Sequence, residues 1–393
     1  MPSYRIPFNK PCLAGNEMRY IAEAVASGQL SGNGPFTRRC QELLQWELGA
    51  AQVLLTTSCT HALEMAALLL DIREGDEIIC PSFTFVSTAN AFVLRGARPV
   101  FADIRPDTLN LDEKNLSALI TPRTKALVVV HYAGVGCEMD ALVAVARERG
   151  IPIVEDNACG LFGSYRGKYL GAFGDLATLS FHETKNVICG EGGALIINDP
   201  QYIRRAEIIR EKGTNRSRFF RGELDKYTWV DAGSSYLPSE LQAAFLCAQL
   251  ECRKEIDAAR SAIWRRYQEG LTEWAHCHGV QLPFVPHYCV QSHHMFYLLL
   301  PSEEAREELI RYLKIRGILA VFHYVPLHLS EMGLRYGGYP GQCPVTEDVS
   351  DRLVRLPFYN ALSEIEQAEI VQALTSFEVP RQPVRREAIA SNP

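Results

Sequence analysis

The chain has 393 residues, of which 47% are hydrophobic, and it carries 40 Lys plus Arg against 46 Asp plus Glu. This mildly acidic balance excludes a broad basic surface of the kind that binds nucleic acid or an anionic membrane. The start, MPSYRIPFNKP, lacks the apolar segment of a signal peptide, and no apolar run is long enough to span a bilayer. We therefore expect a cytoplasmic protein with one large and one smaller domain.

The 12 cysteines are scattered along the chain and form no C-x-x-C pair, so we expect reduced thiols. The densest group of potential metal ligands is the set of histidines and cysteines between 276 and 294, and its spacing matches no zinc signature. The sequence predicts no metal site.

Seven short apolar runs alternate with helical stretches from about residue 52 onwards. This alternation is typical of an α/β domain whose central sheet is mostly parallel and has helices on both faces. The predicted strands are 53–55, 77–80, 99–103, 126–132, 151–155, 176–181 and 194–198.

The segment Thr57-Ser58-Cys59-Thr60 lies between the first predicted strand and a helix. Free amide groups and the helix dipole at such a turn can bind a phosphate, and the hydroxyls of Thr60 and Ser180 are suited to complete the cup. An ordinary helix cap explains Ser58 equally well. After the second strand comes Phe85, which either covers a bound aromatic ring or is buried in the core.

Two ionisable residues follow later strands of the predicted sheet. Asp156 ends the run Ile-Pro-Ile-Val-Glu, and Lys185 follows strand 176–181. Ligands bind at the carboxyl ends of strands in such sheets. A lysine for a Schiff base, an acid for the pyridine nitrogen, a phosphate cup and a ring support are what pyridoxal phosphate (PLP) requires. Alone, Lys185 is equally consistent with an exposed surface lysine, and Asp156 with a helix cap.

The second half of the chain contains a helical stretch, 241–267, without an early Gly or Pro. We expect it to join a large PLP-binding α/β domain (1–250) to a small α+β domain (251–378). The end of the chain, 379–393, is polar and contains proline, which predicts a mobile tail.

Together these motifs resemble the sugar-nucleotide aminotransferases of the DegT/StrS type over about residues 6–375. The resemblance rests on Val-Glu-Asp, Ser-Phe-His-Glu-Thr-Lys-Asn and Gly-Glu-Gly-Gly, which end at residues 156, 186 and 193. It implies a fold-type I PLP-dependent transferase in which Lys185 carries the cofactor and moves protons. It also implies a homodimer with active sites at the subunit interface.

Two residues depart from the family pattern at the cofactor. Cys159 stands where relatives usually have a glutamine that bonds the pyridoxal hydroxyl, and a thiol is a much weaker partner. Ser235 replaces an asparagine that reaches the phosphate from the other subunit in relatives, and its shorter side chain needs a water to do so.

Four further motifs, 9–11, 31–40, 212–217 and 233–237, resemble the family members that aminate C4 of TDP-4-oxo-6-deoxy-D-glucose with L-glutamate. The C4 epimer of the product, amination at C3 and another nucleotide stay open. For substrate binding we predict a set of basic, phenolic and imidazole side chains: Arg221, Lys226, Tyr324 and His328. His323-Tyr-Val-Pro-Leu-His328 resembles the family's substrate-facing motif, and each of its two histidines is equally explained as an ordinary hydrogen-bonded loop residue.

Other classes of function fit less well. A dehydrogenase is suggested by Gly134-Val-Gly136 after strand 126–132, but Met139 stands where the third glycine of a dinucleotide fingerprint belongs. The related sugar 3-dehydratases resemble this chain but have histidine in place of Lys185. A non-catalytic nucleotide-sugar binder remains an alternative, because a fold does not fix a function.

Overall fold

The computed structural model describes residues 4–380. Its strands are β1 (Gln52–Thr56), β2 (Glu77–Pro81), β3 (Arg98–Ala102), β4 (Thr124–Val130), β5 (Ile153–Asp156), β6 (Ser164–Tyr165), β7 (Lys168–Tyr169), β8 (Leu176–Ser180), β9 (Gly193–Ile197), β10 (Cys289–Val290), β11 (Tyr297–Leu299), β12 (Val321–Phe322) and β13 (Leu353–Arg355). Of the predicted tail, 379–393, residues 381–393 lie outside the described residues.

The helices are α1 (Glu17–Ala26), α2 (Pro35–Leu48), α3 (Cys59–Leu69), α4 (Ser87–Val93), α5 (Leu116–Leu119), α6 (Met139–Arg149), α7 (Ile203–Arg210), α8 (Arg216–Phe220), α9 (Glu240–Glu251), α10 (Arg253–His278), α11 (Glu303–Ile315), α12 (Glu331–Arg335), α13 (Pro344–Arg352) and α14 (Glu364–Thr375). Within residues 4–380 none of them combines the length and apolar character that crossing a lipid bilayer requires.

The central sheet has seven strands in the order β1-β9-β8-β5-β4-β2-β3. All seven strands predicted from the sequence are confirmed, and their ends differ from the prediction by at most two residues. Strand β9 runs antiparallel to both β1 and β8, while the pairs β8–β5, β5–β4, β4–β2 and β2–β3 are parallel. The predicted fold class, α/β with a mostly parallel sheet, is therefore correct.

Alternate residues of each strand pack on opposite sides of this sheet. In β1, Leu54 contacts the core beneath α3 and α7, whereas Val53 and Leu55 contact the core beneath α2 and α9. Both faces are thus covered by helices, which is why the strands are nearly continuous apolar runs.

The direction of the strands collects their carboxyl ends at one edge of the sheet. Because β9 is antiparallel to both neighbours, β1 is parallel to β8 and hence to β5. The segments that follow β1, β5 and β8 therefore emerge side by side. This edge holds the turn into α3, Asp156 and the loop that carries Lys185.

The predicted helix 241–267 is wrong as a single element. Two helices, α9 and α10, meet at Cys252, whose φ of −93° and ψ of 17° leave the helical geometry. The change of direction lets α9 pack against α1 and α2 while α10 packs against α14. Since Cys252 is neither glycine nor proline, the sequence carries no breaker signal there.

The C-terminal part has its own apolar cluster, which is built on α10, α11, α14 and the small sheet β11-β13-β12. Ile6, from the start of the chain, is fully buried in this cluster. It forms a parallel bridge with Ile318, and the neighbouring Arg5 pairs with Glu369. The domain limits 1–250 and 251–378 remain a prediction.

Candidate active site

Asp156 is the last residue of β5 and is only 6% exposed. Its Oδ2 accepts a hydrogen bond from the Thr88 hydroxyl at 2.7 Å, and its Oδ1 accepts one from the Ala158 amide at 3.2 Å. No lysine, arginine or histidine among residues 4–380 forms an ion pair with it. The result is an oriented carboxylate without a cation of its own, which is costly in a buried position unless a ligand supplies one.

Lys185 lies in the loop 181–192, which connects the antiparallel strands β8 and β9. Backbone hydrogen bonds continue the β8–β9 ladder into this loop, with the Phe181 amide donating to the Gly192 carbonyl at 2.8 Å. The loop is therefore held like an extended hairpin. Lys185 Nζ lies 3.5 Å from Cys159 Sγ, just beyond the end of β5.

Cys59, the first residue of α3, links these groups electrostatically. Burial raises the pKa of its thiol, the Asp156 carboxylate raises it further, and a hydrogen bond with Thr178 and the charge of Lys185 oppose the rise. Cys159 acts on the same thiol. The structure thus brings the predicted lysine, acid and helix start together at one edge of the sheet.

The predicted phosphate cup is formed by the start of α3 and the end of β8. Ser58 caps α3 in an extended conformation, and its hydroxyl accepts a hydrogen bond from the His61 amide at 3.1 Å. Ser180 is paired with Gly193 across the β8–β9 ladder. A Cβ atom on Gly193 would overlap the backbone of Ser58 and Cys59, so only glycine lets β9 approach the helix start this closely.

Two further predicted cofactor residues border this cup. The Thr60 hydroxyl lies 2.8 Å from the Ser87 hydroxyl, at the first turn of α4. Phe85, just before that helix, is 58% exposed, which rules out burial in the core of this chain. Its ring is therefore available to a ligand or a neighbouring surface.

The two positions that depart from the family pattern have different surroundings. Cys159 lies beside Lys185, and its carbonyl accepts a hydrogen bond from the Ser292 hydroxyl at 2.5 Å. Ser235 is exposed and pairs through its backbone with Glu211. Within residues 4–380 no contact joins Ser235 to Lys185, although the carbonyl of the next residue, Tyr236, accepts a hydrogen bond from the Thr57 amide at 3.0 Å.

Of the four predicted substrate residues, only Tyr324 lies at this site. Its ring stacks on His323 with centroids 3.6 Å apart and meets Phe83 edge-on at 5.5 Å. Cys159 and Asp156 both raise the pKa of its phenol, although burial is the larger cause. Its φ of 41° is a strained conformation for a tyrosine, and such conformations concentrate at functional sites.

The other three lie elsewhere. Arg221 pairs with Glu207 and Glu223 on the surface, and Lys226 is exposed in the same segment. His328 is fully buried, with Nδ1 at 2.6 Å from the Ser82 hydroxyl and Nε2 at 3.0 Å from Glu347. Both ring nitrogens of His328 are thus occupied within the protein, the ordinary hydrogen-bonded role that the sequence left open.

Sequence reasoning missed several side chains around Lys185. They are Thr88, Tyr132, His294 and Arg355. Thr88 lies three residues after Phe85, in Pro-Ser-Phe-Thr-Phe-Val-Ser-Thr, and its hydroxyl was the available signal. The others come from distant segments, and no local pattern connects them.

Two histidines at this site, His294 and His323, are held neutral. Burial lowers the pKa of His294 well below its usual value, and the charges of Lys185 and Arg355 add to this. His323 behaves in the same way, and its Nδ1 lies 2.7 Å from the Tyr132 hydroxyl. Neither histidine therefore adds a positive charge to this site at neutral pH.

The dinucleotide alternative has no support from the structure. Met139 is fully buried at the start of α6, where a dinucleotide fingerprint has its third glycine so that the helix packs closely on the strand. No group of three or more potential metal ligands is present within residues 4–380.

Known proteins resemble this chain over nearly its whole length. The DegT/DnrJ/EryC1/StrS aminotransferase family matches residues 11–375. The spore coat polysaccharide biosynthesis protein SpsC of Bacillus subtilis is 32% identical over 377 residues, which cover 94% of this chain and 96% of SpsC. Aminotransferase TlmJ from Streptoalloteichus hindustanus is 31% identical with a TM-score of 0.86, covering 94% of this chain and 98% of TlmJ.

A third relative has been solved with the cofactor. Spr1654 from Streptococcus pneumoniae, in its PLP form, is 25% identical with a TM-score of 0.87, covering 95% of this chain and 98% of Spr1654. The expected fold type, cofactor and enzyme class are thereby confirmed. The chain belongs to the DegT/DnrJ/EryC1/StrS aminotransferase family and is a fold-type I enzyme that uses PLP.

Proposed function

We propose that this chain transfers the amino group of L-glutamate to C4 of TDP-4-oxo-6-deoxy-D-glucose, which gives TDP-4-amino-4,6-dideoxy-D-galactose and 2-oxoglutarate. This is the reaction of WecE, which the four motifs 9–11, 31–40, 212–217 and 233–237 resemble. The observation that carries amino transfer is the convergence of Lys185, Asp156 and the start of α3 at one edge of the sheet.

The residues at this edge fit PLP. The buried carboxylate of Asp156 has no cation within the described chain, and a protonated pyridine nitrogen would supply one. Ser58, Cys59, Thr60 and Ser180 would hold the phosphate at the helix start, and Phe85 would cover the ring. When bound, PLP stabilises the carbanion that forms as an amino group leaves one carbon and joins another.

Lys185 has two tasks in this proposal. Its amine would hold the resting cofactor and, once displaced by the incoming amine, would carry a proton between the substrate carbon and the cofactor carbon, which are the two carbons bonded to the transferred nitrogen. The extended hairpin 181–192 limits how far the lysine moves, which keeps the amine within reach of both carbons. Asp156, oriented by Thr88, keeps its negative charge opposite the ring nitrogen.

The sugar and its nucleotide rest on the motif resemblance. SpsC is named for the biosynthesis of a polysaccharide, which supports a saccharide substrate. Tyr324 is the predicted substrate residue nearest to Lys185, and we retain it. Arg221 and Lys226 remain candidates for the diphosphate, whereas we leave His328 out of the proposed pocket because both its nitrogens are occupied. We also propose a cytoplasmic homodimer with shared active sites.

The product identifies the reaction directly. We would incubate the enzyme with TDP-4-oxo-6-deoxy-D-glucose and ¹⁵N-labelled L-glutamate and record the NMR spectrum of the sugar product. We expect ¹⁵N on C4, with a small coupling between H3 and H4 that marks an axial amine. A large coupling would assign the C4 epimer instead, and ¹⁵N on C3 or none in the sugar would reject the proposal. Lys185→Ala is the control that should give no labelled sugar.

A further inference from the structure

Arg355 is the last residue of β13, the middle strand of the small C-terminal sheet. Its register partners are Tyr297 on β11 and Val321 on β12, so the three side chains share one face of that sheet. This face meets the large sheet, because the ring of Tyr297 lies 5.9 Å from the ring of Tyr132 after β4. Arg355 therefore projects from the C-terminal part toward the candidate active site.

The guanidinium of Arg355 lacks the partners that a buried arginine usually has. Its Nε is buried without a hydrogen bond, and its Nη2 makes only a long contact, 3.5 Å, with the Phe322 carbonyl. The ring of Phe8 lies 4.7 Å from the guanidinium carbon. Within residues 4–380 it forms no ion pair. Burial accordingly lowers the pKa of Arg355, opposed only by neutral or weakly acidic neighbours, Tyr132, Tyr324 and Cys159.

Arg355 and Lys185 act on the same neighbouring groups. Arg355 lowers the pKa of His294 and of His323, and Lys185 does the same to both. It also acts on Cys159, whose sulfur is 3.5 Å from Lys185 Nζ. Arg355 and Lys185 thus lie around the same side chains, and the carboxylate of this site, Asp156, forms no ion pair with Arg355 within residues 4–380. An anion bound beside the guanidinium would give Arg355 the partner that it lacks, while Lys185 holds the cofactor.

We propose that Arg355 binds a carboxylate of the amino-acid donor and thereby positions that donor at Lys185. This inference rests on the proposed amino transfer from L-glutamate. A planar guanidinium with an unused Nε–H matches a carboxylate in bidentate geometry, and because this Nε is buried, a small anion reaches it more readily than a nucleotide diphosphate. Arg355 is on this view a determinant of donor specificity and has no part in sugar binding.

The test compares Arg355→Gln with Arg352→Gln in the holoenzyme. Arg352 is three residues earlier, is also partly buried, and already pairs with Asp348, so its loss does not touch the proposed anion site. Calorimetric titration with glutarate, a dicarboxylate that cannot react, measures carboxylate binding by itself. The glutamate-dependent change in cofactor absorbance, recorded without sugar, measures the donor half of the reaction.

We expect Arg355→Gln to weaken glutarate binding and to raise the half-saturating glutamate concentration by about tenfold or more, the value of one charge-assisted pair. The KM for the sugar nucleotide should not change, Arg355→Lys should recover part of the loss, and Arg352→Gln should match the wild type. Unchanged melting temperatures would show that the variants are folded. Equal losses for glutamate and sugar, or a loss for sugar alone, would overturn the assignment.

The outcomes separate this inference from the proposed function. If wild-type enzyme responds to glutamate but aminates no TDP-sugar, the sugar assignment fails and the Arg355 comparison still decides donor binding. If the wild type does not respond to glutamate, amino transfer from glutamate fails, and glutarate binding alone decides whether Arg355 holds a carboxylate. If Arg355→Gln binds glutarate as the wild type does, the inference fails while the proposed function stands.

Discussion

At Asp156 the chain keeps a negative charge buried at the carboxyl end of β5. Two hydrogen bonds orient the carboxylate, one from the Thr88 hydroxyl and one from the Ala158 amide, and neither of them neutralises it. A carboxylate prepared in this way binds a protonated ring nitrogen more strongly than one exposed to water, because the surrounding dielectric is low. We therefore propose that Thr88 acts through Asp156 as a positioning residue.

We predict that Asp156→Asn lowers kcat by roughly two orders of magnitude, because an amide cannot hold the ring nitrogen protonated. Thr88→Val, which removes one hydrogen bond to the charge, should cost about tenfold. Initial rates with both substrates measure these losses, and the visible absorbance of each variant shows whether the cofactor is still bound. An Asp156→Asn enzyme with the wild-type kcat and bound cofactor would contradict the assigned role.

The sequence predicts the position of some site residues and not of others. Asp156 and Lys185 were predictable because one ends a buried strand and the other lies in the loop after a second strand, and position at a sheet edge is a local property. Arg355 was not, because a lone arginine in a short strand carries no local signal and its approach to Lys185 depends on packing between distant segments. For the same reason the pairing of Arg221 with Glu207 was not foreseen.

Among the secondary-structure elements, α3 and β9 are coupled by a contact that has no room for a side chain. Gly193 opens β9 and lies against the backbone of Ser58 and Cys59, where α3 begins. The same ladder places Ser180 next to this point. The geometry of the proposed phosphate cup is therefore fixed by the pairing of two strands and depends little on loop conformation.

We predict that Gly193→Ala weakens PLP binding by about tenfold or more, since the new methyl group displaces the helix start from the strand. Fluorescence titration of the apoprotein with PLP measures the affinity. Gly279→Ala is the matched control, because Gly279 ends α10 in a left-handed conformation far from the cup. It should cost about 1 kcal/mol of stability and leave the affinity unchanged. Equal PLP affinity in the Gly193→Ala variant and the wild type would refute the coupling.

The elements themselves were largely predictable, and the exceptions have physical reasons. Strands buried on both faces are continuous apolar runs, so all seven could be recognised from composition alone. The break between α9 and α10 was missed because tertiary packing, and not a breaking residue, redirects the chain at Cys252. The strands of the small C-terminal sheet have two or three residues each, too few for a periodic pattern.

For the molecule as a whole, the position of Ser235 bears on assembly. Ser235 is exposed and makes no contact with Lys185 within residues 4–380, and it lies in a region with the exposed aromatic residues Phe220, Tyr227 and Trp229. An exposed apolar group of this kind is typical of a surface that another protein covers. The family resemblance implies that this surface meets a second copy and that Ser235 reaches the partner's cofactor.

A mixing experiment tests the shared site. We predict that Lys185→Ala and Ser235→Trp are each nearly inactive, and that joint refolding of equal amounts recovers about a quarter of wild-type activity. Half of the dimers would be hybrids, and each hybrid would hold one site with both Lys185 and Ser235 intact. The mixture is assayed alongside each variant refolded alone. Hybrids that form, as shown by differently tagged subunits, but stay inactive would reject the shared site.

The burial of Ile6 among residues of the last third of the chain has a consequence for biosynthesis. Ile6 leaves the ribosome among the first residues, yet its partner Ile318 is made more than three hundred residues later. At about 5–20 residues per second, the nascent N-terminal segment waits roughly fifteen seconds to a minute for its binding site. During that time the apolar side chains of the segment stay exposed and its backbone stays unpaired. Translation speed and chaperone access at the N-terminus should therefore set the yield of active enzyme.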